Sequence, residues 1–277
     1  MADQENTFTL AQDLELALKL ADLADAISLK RYQANDLIVE TKPDLSPVTD
    51  ADKAVENAIR GELASARSAD LIVGEEFGRP DSLDLENLPD GKRYWVIDPI
   101  DGTKNFLRGV PTWATLIGLC DSKGEVIVGV VSAPALSRRW HATTGCGAYV
   151  THDLKSGSVT KKISVSKVSK LADASISYSD LIGWGNSKEK FIGLQEKIWR
   201  TRGMGDFWSH MLVAEGAVDL SVEPQLALWD MAALEIIVRE AGGRFTNTSG
   251  KAGVHGGSAV SSNGLLHEAF LNEVFGK

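Results

Sequence analysis

The chain has 277 residues, of which 43% are hydrophobic and 24% are charged, and its formal net charge is -9. This length can bury a substantial core in one large domain or two small ones, and the composition is that of a soluble globular protein. The negative charge argues against nucleic acid as a partner. No apolar run approaches the ~20 residues that span a bilayer, and the first residues lack the basic segment of a signal peptide. We therefore expect a cytoplasmic protein that binds neither nucleic acid nor a membrane.

The cysteines and histidines give no sign of a disulfide framework or a zinc site. Cys120 and Cys146 are the only cysteines and form no CxxC pair, so we expect both to be reduced and packed among apolar neighbours. The five histidines show no HxxxH spacing, which argues against zinc. The chain also lacks the G-x-S-x-G nucleophile elbow and the phosphate-binding loop GxxxxGK[ST].

Hydrophobic periodicity predicts helices and strands along the whole chain without a linker or repeat. In chain order these are a helix over 10–28, a helix over 50–66, a strand over 71–73, a strand that ends at 97, strands over 112–119, 125–132, 138–143, 163–165 and 175–178, helices over 189–199 and 207–215, a strand over 217–222, a helix over 229–241, a strand over 259–260 and a helix over 265–275. Thr49 is predicted to cap the second helix, with Asp52 at the third position of a capping box. Layers of helices and sheets in one compact α+β body are the natural architecture.

The segment 95–106, WVIDPIDGTKNF, is the most informative stretch of the sequence. A buried strand is predicted to end at Asp98, Asp101 follows three residues later, and Gly102-Thr103 can open a helix. Carboxylates are hard oxygen ligands for Mg²⁺. A glycine lets the backbone approach an anion closely, and the free N–H groups of a helix start point at it. The alternative for such a short motif is a surface Asp-Pro turn.

Further carboxylates lie at the ends of predicted elements. Glu75 follows a strand and Asp230 starts a helix. Taken singly, Asp52 can be only a cap and Asp230 only a favourable first-turn charge. If these side chains converge, however, two charges 4 Å apart repel by about 4 kcal/mol at an effective dielectric constant near 20. A converging cluster would need a cation, and oxygen ligands favour Mg²⁺ or Mn²⁺.

Five separated segments, in the right order, resemble the signature segments of the inositol monophosphatase superfamily: 42–52, 74–76, 95–106, 229–233 and 240–243. The resemblance covers nearly the whole chain. It implies a Mg²⁺-dependent, lithium-sensitive phosphomonoesterase whose residues 1–277 form one domain. The implied fold is the layered αβαβα sandwich of the inositol monophosphatase and fructose-1,6-bisphosphatase type, and the implied assembly is a homodimer.

The resemblance also implies roles for individual residues. Two to three Mg²⁺ ions, or Mn²⁺ in their place, would be bound in the site. Their ligands would be the carboxylates of Glu75, Asp98, Asp101 and Asp230 and the backbone carbonyl of Ile100. Asp52 and Thr103, with Glu75, would act on the attacking water, so that no side-chain nucleophile is needed. The backbone of Gly102 and Thr103 would hold the phosphate, and Glu223 matches an acid that contacts substrate. Lys104 departs from the family, in which many members carry threonine there.

The segment 202–210, RGMGDFWSH, bears on the substrate. Inositol-specific relatives of the family carry small neutral residues in this segment. This chain instead has Asp206 beside Phe207 and Trp208, and a carboxylate beside aromatic rings suits a flat cationic group. With 41–44, 106–111 and 132–135, this segment most resembles the histidinol-phosphate phosphatase branch of actinobacteria and plants.

The resemblance to this branch implies a small phosphomonoester, L-histidinol phosphate, as the substrate, with Asp101, Asp206, Glu223 and Asp230 among its contacts. The alternatives are an inositol phosphate, fructose 1,6-bisphosphate or another sugar phosphate, and a non-catalytic member that only binds a ligand. Retention of Asp52, Thr103 and the ligand carboxylates argues against the last. Phe207 and Trp208 can also be plain core residues.

Overall fold

The computed structural model describes residues 8–79, 92–154 and 157–277. Within these ranges the helices are α1 Leu10–Arg31, α2 Asp50–Ala66, α3 Thr103–Leu107, α4 Lys188–Gln195, α5 Asp206–Ala214, α6 Leu228–Glu240 and α7 His267–Phe275. The strands are β1 Val39–Thr41, β2 Pro47–Thr49, β3 Leu71–Gly74, β4 Tyr94–Asp101, β5 Ala114–Cys120, β6 Val126–Ala133, β7 Arg138–Thr143, β8 Gly147–Leu154, β9 Gly157–Ile163, β10 Ser175–Tyr178, β11 Arg200–Gly203, β12 Leu220–Glu223, β13 Arg244–Thr246 and β14 Ala259–Ser262.

The strands form two main sheets and a separate hairpin. β3 to β9 make a seven-stranded sheet in chain order, antiparallel except for the parallel pair β3 and β4. The second sheet has the order β11-β10-β12-β14-β13, with parallel pairs on both sides of β10. β1 and β2 pair only with each other. Helices cover both faces of each of the two main sheets.

Alternation along β4 shows how the layers are built. Trp95 and Ile97 pack with α1 and α2, whereas Tyr94 and Val96 pack on the other face with α5 and α6. The helices α5 and α6 also contact the second sheet, and α4 and α7 cover its far face. Because successive strand residues point to opposite faces, one buried strand serves two layers. The resulting order of layers is αβαβα, so the predicted α+β sandwich is confirmed.

Two glycines allow α6 to lie close to the seven-stranded sheet. A Cβ built at Gly118 would lie 2.9 Å from the Cβ of Ala232, and one at Gly129 would lie 2.4 Å from Cγ2 of Ile236. Contacts of this length are below van der Waals separation, so larger side chains would push the helix away. Since α6 begins near Asp230, this close packing also fixes the height of that carboxylate over the sheet.

Several predicted boundaries are wrong, each for a tertiary reason. The helix predicted over 189–199 ends at Gln195, because Arg200 donates a backbone hydrogen bond to Ala174 (3.2 Å) and the chain turns into β11. Of the strand predicted over 163–165, only Ile163 is in a strand. The Val165 N–H instead donates to the carbonyl of Ala241 (3.0 Å), just after α6. Strands β1, β2, β8, β11 and β13 are not among the predicted elements, nor is β9 apart from Ile163.

The cysteine expectation holds for one residue and is wrong for the other. Cys120 is a buried free thiol in β5, whereas Cys146 is a free thiol that is exposed in the turn between β7 and β8. In the part of the chain that the structure describes, no helix combines the length and the apolar character needed to cross a membrane.

We expect Gly129→Ala to lower the free energy of unfolding by about 1–3 kcal/mol, because its methyl group overpacks the contact with α6. Gly61→Ala is the matched control, since a Cβ at Gly61 in α2 would meet nothing within 4 Å. That control should be neutral or gain up to about 1 kcal/mol. Thermal unfolding of both variants measures the difference, and similar Tm values for the two would contradict the close approach of α6.

Candidate active site

A cavity of about 200 Å³ lies where β3, β4, α5, β12 and α6 meet. Its wall contains six carboxylate residues: Glu75, Asp98, Asp101, Asp206, Glu223 and Asp230. Ile100, Gly102 and Thr103 line it as well. The structure therefore brings to one cavity every residue for which the sequence predicts metal or substrate contact. Such a concave site with converging polar groups is the usual form of a small-molecule site.

Asp98, Asp101 and Asp230 form the densest part of this wall. Each offers a carboxylate oxygen, and the three oxygens lie within 4.8 Å of one another. A backbone N–H group holds each side chain: Asp98 accepts from Ile100 N–H (3.0 Å), Asp230 from Ala227 N–H (2.7 Å) and Asp101 from the distant Phe207 N–H (2.7 Å). The register of β4 on β5 shifts between Asp98 and Asp101, so both residues can turn toward the cavity.

Electrostatics in this cluster favour a bound cation. Burial, together with the charges of neighbouring carboxylates, holds the pKa values of Asp98 and Asp101 well above the ordinary range. Burial raises the pKa of Asp230 to about 7. The donor atoms are all oxygens, several of them from carboxylates, and this donor set fits a hard divalent cation such as Mg²⁺. The residues present therefore suit a metal ion.

Glu75 lines the same cavity just after β3 and is held by a lysine. Lys42 Nζ lies 2.7 Å from Glu75 Oε1 and 2.7 Å from Glu76 Oε1. Burial raises the pKa of Glu76 to about 7. Lys42 has no predicted role from the sequence, although it lies in the segment 42–52. Its contact depends on the hairpin of β1 and β2 reaching the end of β3, which no local pattern predicts.

Asp52 caps α2 and contacts the cavity wall through Thr103, although it is not itself among the residues described as lining the cavity. Its Oδ2 accepts from Thr49 N–H (2.8 Å) and its own N–H donates to Thr49 Oγ1 (3.4 Å), and these two bonds form the predicted capping box. Thr49 Oγ1 also donates to Oδ2 (2.5 Å). Its Oδ1 accepts from Thr103 Oγ1 at 3.3 Å, and that hydroxyl also lies 3.1 Å from the carbonyl of Ile100. Burial raises the pKa of Asp52 to about 6. The cap fixes the carboxylate so that its second oxygen meets Thr103.

Gly102 occupies a position that requires glycine. Its φ is 83°, and a Cβ there would lie 3.0 Å from the carbonyl of Thr112 and 3.3 Å from Asp206 Oδ2. The residue precedes α3, so its backbone and that of Thr103 lie at a helix start beside the carboxylate cluster. Free N–H groups at such a start suit an anion. Lys104 follows and is exposed.

Asp206 and Glu223 form a second acidic group in the cavity, joined by Ser179. Ser179 Oγ donates to Glu223 Oε1 (2.6 Å) and accepts from Asp206 N–H (3.0 Å). Asn105 Nδ2 donates to Asp206 Oδ2 (2.9 Å). Burial raises the pKa of Glu223 to about 8 and that of Asp206 to about 6. Neither Ser179 nor Asn105 carries a signal in the sequence that points to this contact.

Asp206 is not a side-chain cap of α5, although it is the first residue of that helix. Its φ is 50°, a left-handed conformation that a residue other than glycine seldom adopts. Conformations of this kind cost free energy and cluster at functional sites. The strain, together with the bond from Asn105, directs this carboxylate into the cavity.

The aromatic residues after Asp206 have separate environments. Phe207 lines the cavity and also packs edge-on against Trp140 in the core, with ring centroids 6.0 Å apart. Trp208 packs against the core, and the described lining of the cavity does not include it. The stacking role considered for both rings is therefore open only to Phe207. His210, which sequence reasoning missed, also lines the cavity, and burial lowers its pKa to about 3.

Comparison with known proteins agrees with this architecture. The model of the inositol monophosphatase family matches residues 9–275. The chain is 53% identical over 264 residues to a histidinol-phosphatase of Mycobacterium tuberculosis, covering 95% of this chain and 97% of that protein. It is also 53% identical to a histidinol-phosphatase of Streptomyces coelicolor, covering 94% and 95%.

A solved structure of an IMPase from Thermotoga maritima superposes with a TM-score of 0.81 at 29% identity, covering 96% of this chain and 97% of that one. The resemblance predicted from the signature segments is thereby confirmed. The chain belongs to the inositol monophosphatase family.

Proposed function

We propose that the chain is a metal-dependent phosphomonoesterase that hydrolyses L-histidinol phosphate to L-histidinol and phosphate, a step of histidine biosynthesis. The observation that carries this proposal is the pairing of two acidic groups in one cavity, the Asp98-Asp101-Asp230 cluster and the Asp206-Glu223 pair. The first suits a metal and a phosphate, and the second suits a cationic leaving group. Relatives at 53% identity that are named histidinol-phosphatases support the choice of substrate.

Two to three Mg²⁺ ions would be held by Glu75, Asp98, Asp101, Asp230 and the carbonyl of Ile100, and Mn²⁺ could replace them. A bound Mg²⁺ supplies Lewis-acid activation of water and neutralises the charge that develops on the leaving oxygen. Binding would also relieve the repulsion among the buried carboxylates. Lys42 Nζ contacts Oε1 of Glu75, so Oε2 of the same carboxylate would be the oxygen offered to the metal.

The chain's own groups would complete the catalytic arrangement. Asp52 Oδ1 would accept a proton from the attacking water. Thr103 Oγ1, which donates a hydrogen bond to Asp52 Oδ1, would orient that water. The N–H groups of Gly102 and Thr103 would bind the phosphoryl oxygens at the start of α3. Lys104 adds a positive charge next to this position. No side-chain nucleophile takes part.

Recognition of the leaving group would depend on charge. Histidinol carries an ammonium group and an imidazole, both of which can donate hydrogen bonds to carboxylates. Glu223 and Asp206 face the same cavity as the metal cluster and share Ser179 as a common partner. A cationic substrate would favour the ionised form of both carboxylates and thus lower their raised pKa values.

The second candidate is an inositol phosphate or another sugar phosphate, which the likeness to the Thermotoga maritima IMPase favours. A neutral polyol would leave Asp206 and Glu223 without a cationic partner in a buried site, which is unfavourable. The single domain over residues 1–277, the homodimer and the cytoplasmic location stay predictions, as do the individual roles of the site residues.

Removal of metal should make the stability of the protein depend on pH in a defined direction. In EDTA, Asp230 has a folded pKa of about 7, above its unfolded value, so the folded state binds more protons. Stability is therefore lost as pH rises from about 4 to 7 through this group. Chemical unfolding of the wild type and Asp230→Asn across this range isolates the effect, because the variant lacks the titrating group. Equal slopes for the two proteins would contradict it.

Addition of Mg²⁺ above pH 7 should restore stability, by about 2.7 kcal/mol at a hundredfold excess over Kd. Enzyme that is freed of metal with EDTA should lose its phosphatase activity. Undiminished turnover after removal of metal would contradict the metal-dependent mechanism.

Asp98→Asn and Asp52→Asn should differ in their effect on metal. Asp98→Asn should abolish turnover and the stabilisation by Mg²⁺, while raising the metal-free Tm because repulsion in the cluster falls. Asp52→Asn should leave Mg²⁺ stabilisation largely intact and lower kcat, since its contact is with Thr103. Thermal unfolding with and without Mg²⁺, together with kcat, separates the two. Near-wild-type turnover of Asp98→Asn would show the assignment to be wrong.

Glu223→Gln and Asp206→Asn should lower kcat/KM for the cationic substrate more than for a neutral one. A charged hydrogen bond contributes about 1.5–3 kcal/mol, so kcat/KM for L-histidinol phosphate should fall by one to two decades. Hydrolysis of a neutral aryl phosphate should fall much less, because the metal cluster is unchanged. Measuring both substrates with both variants decides the matter. Equal losses on the two substrates would exclude recognition by charge and favour the sugar-phosphate alternative.

A further inference from the structure

The turn that carries Glu75 is short and is closed by its own backbone. Gly74 N–H donates to the carbonyl of Gly78 (3.0 Å), and Glu75 N–H donates to the carbonyl of Ile97 in β4 (3.2 Å). These bonds fix both ends of the turn, but they leave the N–H groups of Glu76 and Phe77 without a partner from the sheet. Where those two donors bond decides how the Glu75 side chain is presented to the cavity.

Both donors bond to one buried carboxylate, that of Glu56 in α2. Glu56 is fully buried, and its Oε2 accepts from Glu76 N–H at 2.7 Å while its Oε1 accepts from Phe77 N–H at 3.2 Å. Arg60 Nε donates to Oε1 (2.7 Å) and Arg60 Nη2 donates to the carbonyl of Gly78 (2.6 Å). We call Glu56 and Arg60 the brace. It bonds to the turn at three successive residues, Glu76, Phe77 and Gly78.

The brace leaves no room for a side chain at Gly74. A Cβ at this position would lie 2.1 Å from Glu56 Oε1 and 2.4 Å from its carboxyl carbon. Its φ is not positive, so the requirement for glycine comes from contact rather than from backbone conformation. The carboxylate of Glu56 therefore packs directly on the end of β3, one residue before Glu75.

The brace and Asp52 belong to the same helix. Glu56 follows Asp52 by four residues in α2, so both side chains lie on one face of that helix. Asp52 bonds to Thr103, and Glu56 bonds to the turn of Glu75. One rigid helix thus sets the position of the residue proposed to act on water relative to a residue proposed to bind metal.

Burial of a charged pair is poor evidence for stability alone, because desolvation can exceed the Coulombic gain. Groups behind a metal ligand, by contrast, orient that ligand, and their loss costs 10–100-fold in metal affinity or activity. We propose that Glu56, supported by Arg60, is a positioning residue of the metal site that holds the Glu75 turn in its binding conformation. This inference rests on the proposed function, since it assumes that Glu75 binds metal.

The test is the Kd for Mn²⁺ of the full chain, measured from the electron paramagnetic resonance signal of free Mn²⁺. Glu56→Gln keeps the size of the side chain but turns one acceptor into a donor that faces N–H groups of the turn or of Arg60. We expect Mn²⁺ affinity to fall by about 10–100-fold. At saturating Mn²⁺, kcat should return to within a few-fold of the wild type, because the positioning defect is overcome by mass action.

Asp13→Asn is the matched control. Asp13 in α1 is also fully buried and pairs with two guanidinium groups, those of Arg67 (3.2 Å) and Arg93 (2.6 Å), but it does not line the cavity. Both variants should lower Tm, and only Glu56→Gln should change the Kd for Mn²⁺. A Kd within twofold of the wild type in Glu56→Gln, at a Tm reduced as in the control, would overturn the proposal.

A second variant covers the case in which Glu56→Gln does not fold. Arg60 is only partly buried, so Arg60→Gln should be tolerated, and it breaks the bonds to Glu56 and to the carbonyl of Gly78. We expect a several-fold weaker Kd for Mn²⁺, and an unchanged Kd would overturn the role of the brace.

The Mn²⁺-binding assay uses no phosphate ester, so it tests metal binding separately from the substrate. A wild type that binds Mn²⁺ but does not hydrolyse histidinol phosphate would contradict only the proposed substrate. A wild type that binds no Mn²⁺ would overturn both.

Discussion

Three carboxylates, one buried and two half-buried, crowd together at the centre of this fold, and their mutual repulsion shapes the elements around them. Asp98, Asp101 and Asp230 present oxygens within 4.8 Å of one another, and burial keeps their pKa values raised. A pair of such charges at 4 Å costs about 4 kcal/mol at an effective dielectric constant of 20. Part of that cost is offset by backbone N–H groups that donate to each side chain. The repulsion that remains favours the binding of divalent cations at a site of this kind.

Two helices, α5 and α2, each hold more than one part of the cavity. The start of α5 supplies both Asp206, in the acidic pair, and the N–H of Phe207, which donates to Asp101. Two adjacent residues therefore join the part of the cavity proposed to bind the leaving group to the part proposed to bind metal. On the other side, α2 holds Asp52 through its cap and holds the Glu75 turn through Glu56. Small shifts of either helix would therefore move groups proposed for different roles together.

Sequence patterns were sufficient for features that depend on neighbours along the chain. The capping box of Asp52 and the helices α2 and α6 follow from spacing along the chain. The convergence of the carboxylates joins distant segments, and only the resemblance to the family implied it. Contacts between distant segments were not predictable in this way. Ser179 and Glu223 are separated by 44 residues and Asn105 and Asp206 by 101. β9 is exposed along almost its whole length, so it shows no apolar alternation and exists because β8 pairs with it.

In the proposed function, one cavity combines a metal-assisted phosphatase site with recognition of a cationic leaving group. The most direct measurement is kcat/KM of the wild type, with Mg²⁺, for phosphate release from L-histidinol phosphate, inositol 1-phosphate, fructose 1,6-bisphosphate and a neutral aryl phosphate. We predict that L-histidinol phosphate has the highest kcat/KM, by at least about tenfold, which corresponds to one charged hydrogen bond. A higher kcat/KM for inositol 1-phosphate or fructose 1,6-bisphosphate would contradict it.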